Sequence, residues 1–224
     1  MTRPSQSVLL DLDGTIVHSE PGILASCRAA LRVLGHHPDD LDITNLVGPP
    51  LQEVLGEVLA RFGDDRVGEA VIAYRDHYGS LGYRETIVYP GLVGVLEQLV
   101  ALNFRLYVAT SKRRVFAQKI LEHLGLSELF QAIHGSEPGG AFDRKAELIA
   151  HVLKQHSLRT DHSVMVGDRR HDVEGARANA IPTIGVLWGY GDRAELEAAG
   201  VAHIVSHPDE LVALVADNAA LKVG

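Results

Sequence analysis

Six short runs rich in valine, isoleucine and leucine, at residues 7–10, 104–109, 131–134, 163–166, 183–187 and 202–205, alternate with helical patterns at 92–102, 113–124, 143–156 and 172–179. Short apolar runs without a polar alternation predict strands that are buried on both faces. Such strands need helices above and below a parallel sheet. The expected fold class is therefore α/β, a doubly wound parallel sheet.

One interval breaks the alternation. Residues 17–86 show no strand pattern, only helical patterns at 22–34, 51–62 and 65–78, parted by the turn signals His37-Pro38-Asp39-Asp40, Gly48-Pro49-Pro50 and Gly63-Asp64. This reads as an all-helical domain inserted after the first strand, with Tyr89-Pro90-Gly91 marking the return. The expected division is an α/β core at 1–16 and 87–224 around a helical insertion at 17–86. A closing helix is expected at 209–220. The length of 224 residues suits such a core with a small insertion.

Composition narrows the function classes. With 46% hydrophobic and 22% charged residues, global disorder is excluded. A formal charge of −8 is the opposite of a nucleic-acid footprint. No apolar stretch approaches the ~20 residues that cross a bilayer. The first seven residues are polar, so a cytoplasmic location is expected. The single cysteine, Cys27, lies in an apolar helical pattern and reads as buried packing. Twelve histidines show no convergent spacing and read as solvated.

Four features carry chemistry. Val8-Leu9-Leu10-Asp11-Leu12-Asp13-Gly14-Thr15 is an apolar strand that ends in two acids and a glycine turn. In an open α/β sheet ligands bind beyond the carboxyl ends of the strands. Two acids there repel each other unless a cation sits between them. Val164-Met165-Val166-Gly167-Asp168 repeats the strand-to-acid pattern, with Asp172 four residues on. Carboxylates gathered in one cleft suit a hard divalent cation, Mg²⁺ above all. In Leu106-Tyr107-Val108-Ala109-Thr110-Ser111-Lys112, a strand is expected to end in two hydroxyls as a helix begins, giving an anion cradle or an ordinary cap. The fourth is Lys145, near the start of a helical pattern between the third and fourth core strands.

These elements in this order resemble the haloacid dehalogenase-like hydrolase superfamily, phosphatase branch, over nearly the whole chain. The resemblance implies a Rossmann-like core with a helical cap. It implies that Asp11 is the nucleophile of an Mg²⁺-dependent phosphatase working through an aspartyl-phosphate, and Asp13 its general acid and base. It further implies that Thr110, Ser111 and Lys145 bind phosphate, that Asp11, Asp13 (through its carbonyl) and Asp168 hold the metal, and that Asp172 supports them. Lys112 and Lys154 are alternatives to Lys145. Asn45–Leu51, Tyr83–Gly91 and Gly185–Gly191 are similar to the phosphoglycolate phosphatase-like and 5′-nucleotidase-like subgroup. His18-Ser19 stands where that subgroup usually has Asp-Ser. The segment Gly48-Pro49-Pro50 is expected to be a stiff substrate loop of the cap. The expected partner is a small phosphorylated metabolite, with no nucleic acid and no membrane, and the expected assembly is a monomer or homodimer. A β-phosphoglucomutase-like phosphotransferase, a pyrophosphatase and a non-catalytic binding protein are the other readings.

Overall fold

The structure, a computed structural model, describes residues 6–38 and 51–217. It divides into two compact units, one of Met1–His18 with Val88–Gly224 and one of Ser19–Ile87.

The core unit begins with β1 (Ser7–Leu10), every residue of which is buried. Val8, Leu9 and Leu10 have no exposed surface, and burying each such side chain is worth roughly 1.5–3 kcal/mol. Two short strands, β2 (Val17–His18) and β3 (Ile87–Val88), stand where the chain leaves the core unit and returns to it. Just inside, the Tyr89 N–H donates to the Ile16 carbonyl at 3.2 Å. The chain then runs through α4 (Leu92–Ala101), β4 (Arg105–Arg113), α5 (Arg114–His123), β5 (Phe130–Ser136), α6 (Lys145–Gln155), β6 (Ser163–Gly167), α7 (Arg170–Arg177), β7 (Thr183–Val186), α8 (Arg193–Ala199), β8 (His203–Val205) and α9 (Glu210–Ala216).

The six long strands form one parallel sheet in the order β5-β4-β1-β6-β7-β8. Leu9, Tyr107 and Met165 from three adjacent strands join Leu148, Ile149 and Val152 of α6 and Ala176 of α7 in one core cluster. Val8 and Leu10 point to the other face by alternation and are equally buried, so both faces are covered. This is the doubly wound α/β fold the apolar runs predict.

In the helical unit, α1 (Glu20–Val33), α2 (Leu51–Ala60) and α3 (Val67–Ser80) are followed by a 3₁₀ turn, Gly82–Glu85. The Ser26 hydroxyl donates to the Gly22 carbonyl at 2.7 Å and meets His77 Nδ1 at 3.0 Å, tying α1 to α3. Cys27 is fully buried, and burial pushes its thiol up to about 12, which makes it an inert packing residue. No helix among the described residues is long and apolar enough to cross a membrane.

Candidate active site

From β1 the chain order runs outward through β4 and β5 on one side and through β6, β7 and β8 on the other. The connections therefore leave in opposite directions beside β1 and open a crevice beyond the carboxyl ends of β4, β1 and β6. Leu10 is level with both Val108 and Val166 in the strand register. The next residues carry the polar groups to this crevice: Asp11 after β1, Thr110 on β4 and Asp168 after β6.

Asp11, Asp168, Asp172 and Lys145 are all buried. One oxygen from each of the three acids lies within 4.8 Å of the others. Lys145, the first residue of α6, has its Nζ 2.7 Å from Asp11 Oδ1 and 2.8 Å from Asp172 Oδ1, and it donates to the Ala109 carbonyl at 2.9 Å. A buried ammonium at a helix N-terminus is opposed by both desolvation and the helix dipole. Burial pulls Lys145 down, but the Asp11 and Asp172 charges outweigh it and hold the lysine above its usual range.

Three buried carboxylates share the site with one ammonium, and two of them, Asp11 and Asp168, are raised, by burial first. Burial pushes Asp11 up to about 6, against the pull of Lys145 and with the push of Asp172. Burial first, and then the Asp172 and Asp11 charges, push Asp168 up to about 8. Asp168 keeps two hydrogen bonds, from the Thr15 hydroxyl at 3.1 Å and from the Tyr190 N–H at 2.8 Å. Excess negative charge on an all-oxygen donor set fits a hard divalent cation.

Asp172 has two tasks. Its Oδ1 faces Lys145, while its Oδ2 accepts from the Arg169 N–H at 3.2 Å, closing the first turn of α7. A Cβ on Gly167 would overlap the Asp172 side chain. Gly167→Ala should therefore push Asp172 off Lys145, costing about 1–3 kcal/mol in stability and about tenfold or more in kcat. Thermal melting and steady-state kinetics on the same preparation check both numbers.

One expectation needs correcting. Thr110 and Ser111 do not stand between a strand end and a helix. The strand pairing of β4 continues to Arg113, with a register irregularity that sets Ala109 opposite His134 and Arg113 opposite Ser136. Thr110, Ser111 and Lys112 form the resulting bulge, and α5 begins only at Arg114. Thr110 is buried and accepts from the Lys112 N–H at 3.2 Å, whereas Ser111 is exposed. The Asp13 carboxylate stands outside the cluster of Asp11, Asp168 and Asp172; both of its oxygens accept from Lys112 Nζ at 2.9 Å. Lys145, rather than Lys112 or Lys154, faces Asp11. Gly48 and Pro49 lie outside the described residues.

Residues that sequence reasoning missed hold Asp168 in place. Besides Thr15 and the Tyr190 amide, the Trp188 Nε1–H donates to the Thr15 carbonyl at 3.0 Å. A Cβ on Gly14 or on Gly189 would overlap the Asp168 carboxylate. The glycine spacing of Gly185–Gly191 was the available signal. The histidines are also less scattered than their spacing suggests. His134 Nε2 lies 2.9 Å from His156 Nε2, and the His151 ring meets His134 edge-on at 5.6 Å. Burial pushes His134 down to about 4.

The description "Haloacid dehalogenase-like hydrolase" belongs to a family whose pattern matches residues 8–186. A 5′-nucleotidase from Pseudomonas aeruginosa is 40% identical over 198 residues, 88% of this chain and 89% of that one. Tyrosine-protein kinase PtkA from Mycobacterium tuberculosis is 38% identical over 203 residues, 90% of this chain and 68% of that one. A solved structure described as a predicted phosphatase from Clostridium acetobutylicum superposes with a TM-score of 0.85 at 36% identity, covering 96% of this chain and 100% of that one.

Proposed function

The chain belongs to the haloacid dehalogenase-like hydrolase family as a phosphoric monoester hydrolase, and we propose that it cleaves a small phosphorylated metabolite in an Mg²⁺-dependent reaction through an aspartyl-phosphate on Asp11. The observation that carries this reading is the buried Asp11–Lys145 pair beside Asp168 and Asp172.

Asp11 attacks phosphorus, and its new O–P bond forms as the bond from phosphorus to the leaving oxygen breaks. Asp13 hands its proton to that leaving oxygen. Asp13 then takes a proton from the water that attacks the aspartyl-phosphate, which restores Asp11 and releases inorganic phosphate. Lys145 stays charged throughout and neutralises both nucleophile and phosphate, and the Thr110 hydroxyl offers a further hydrogen bond. Asp11 and Asp168 would hold Mg²⁺, with Asp172 alongside and Asp13 contributing its backbone carbonyl. The cation supplies charge neutralisation for the transferring phosphoryl group.

The Pseudomonas relative's name and the similarity in Gly185–Gly191 favour a 5′-nucleotidase-like or phosphoglycolate phosphatase-like substrate. The PtkA name favours a second reading, in which the phosphoryl group on Asp11 passes to an acceptor other than water. Purified protein offered nucleoside monophosphates, 2-phosphoglycolate and other phosphorylated metabolites, with Mg²⁺ or with EDTA, tests both. Inorganic phosphate released only with Mg²⁺ supports hydrolysis. Label moving to a second substrate without phosphate release supports transfer, and neither outcome in any pairing would overturn both readings.

A further inference from the structure

The reaction above uses Asp13 but leaves open what holds its carboxylate still. Asp13 sits in the turn after β1, outside the acid cluster, and no backbone hydrogen bond to its side chain is present among the described residues. What meets it is Lys112, whose Nζ lies 2.9 Å from both Asp13 oxygens. The pair is well covered, with side-chain exposures of 9% for Lys112 and 15% for Asp13.

The fold goes to some length to bring Lys112 there. It lies on the β4 bulge, where an uninterrupted pleat would alternate successive side chains between the two sheet faces. The bulge breaks that alternation. The buried Thr110 hydroxyl fixes it by accepting from the Lys112 N–H at 3.2 Å. On the neighbouring strand the facing residue is Gly135, where any Cβ would overlap the Lys112 carbonyl oxygen. Thus a bulge, a buried threonine and a glycine on the next strand together set the position of one lysine.

We infer that Lys112 is a positioning residue for Asp13: its ammonium meets both oxygens of the ionised carboxylate, fixing the side chain where the attacking water must be met, and holds it by one oxygen when the other carries the proton for the leaving oxygen. The site thus uses two lysines on two acids, Lys145 on the nucleophile and Lys112 on the proton-transfer group. This inference rests on the reading of Asp13 given above. A proton-transfer group displaced by about 1 Å loses roughly 10²-fold in rate. Such a loss falls on substrates whose leaving group needs the proton and largely spares activated aryl esters.

The test is a double-mutant cycle of Lys112→Met and Asp13→Asn, with Lys112→Arg as the conservative control. It is read as kcat/KM on an alkyl phosphate and on p-nitrophenyl phosphate, with thermal melting to confirm folding. Lys112→Met is expected to lower the alkyl value about 10–100-fold and the p-nitrophenyl value several-fold less. Lys112→Arg should recover most of the alkyl activity, because it restores a donor to Asp13. In the Asp13→Asn background, Lys112→Met should cost less than about threefold, since the group it positions is gone. An equal cost in both backgrounds, or an equal fall on both esters, would overturn the inference and make Lys112 a phosphate ligand or a structural residue. Full alkyl activity in Asp13→Asn alone would instead overturn the reading of Asp13, and this inference with it.

Discussion

Asp11→Asn should lower kcat by at least about 10³-fold while leaving a folded protein. The amide keeps the shape of the carboxylate but loses the charge that attacks phosphorus. Removing one member of a buried ion pair usually costs about 3–5 kcal/mol, because the partner is left uncompensated. Lys145 is not left so, since Asp172 Oδ1 is 2.8 Å away and the Ala109 carbonyl 2.9 Å away. Asp11 is also one of three crowded acids, and its charge helps to push Asp168 up to about 8. Neutralising Asp11 relieves that repulsion. In metal-free buffer the variant should therefore melt at or above the wild-type temperature despite its lost activity. Retention of more than about a tenth of wild-type kcat would remove Asp11 as the nucleophile. A collapse in melting temperature would show that the Asp11–Lys145 pair serves stability first.

The sheet was legible because its strands are buried on both faces. Runs such as Val8-Leu9-Leu10 and Val164-Met165-Val166 have no polar side and admit little else. The acids at their ends were legible for the same reason: a polar residue within two positions of such a run marks where the strand meets solvent or a ligand. The bulge was not legible. Ala109-Thr110-Ser111-Lys112 reads like any strand end followed by a cap, and only pairing with β5 reveals that β4 continues. Contacts across long stretches of chain were equally hidden. Asp13 and Lys112 are 99 residues apart, and their pairing follows from the adjacency of β1 and β4. The histidine cluster joins β5 to α6 in the same way. Asp172 shows the same limit: the sequence places it four residues after Asp168, but only the fold shows one of its oxygens facing Lys145 while the other closes the first turn of α7.

Chelation should abolish activity, Mg²⁺ should restore it, and Ca²⁺ should restore it poorly, because Ca²⁺ takes more ligands at longer distances. The sharper expectation concerns protons. Without a cation, burial and the neighbouring acids put Asp168 at about 8 and Asp11 at about 6, so at neutral pH Asp168 holds a proton that Mg²⁺ must displace. Apparent Mg²⁺ affinity should rise by about tenfold per pH unit at most as pH approaches 8, and level off above it. Calorimetry in buffers of different ionisation enthalpy should show proton release on binding at neutral pH and little in alkaline buffer. Stability has a definite sign too. Both acids have folded values raised above the usual 3.8, so the folded state binds more protons than the unfolded chain between 3.8 and about 8. Their contribution to stability is complete below 3.8 and is lost as pH rises through about 6 for Asp11 and about 8 for Asp168. Metal-free protein should accordingly lose melting temperature from mildly acidic to mildly alkaline buffer. Saturating Mg²⁺ should flatten or reverse that slope, since the cation then supplies the positive charge that the proton supplied. Full activity in EDTA, or metal-free melting that does not change across this range with no proton released on Mg²⁺ addition, would show that the three acids are not a cation site.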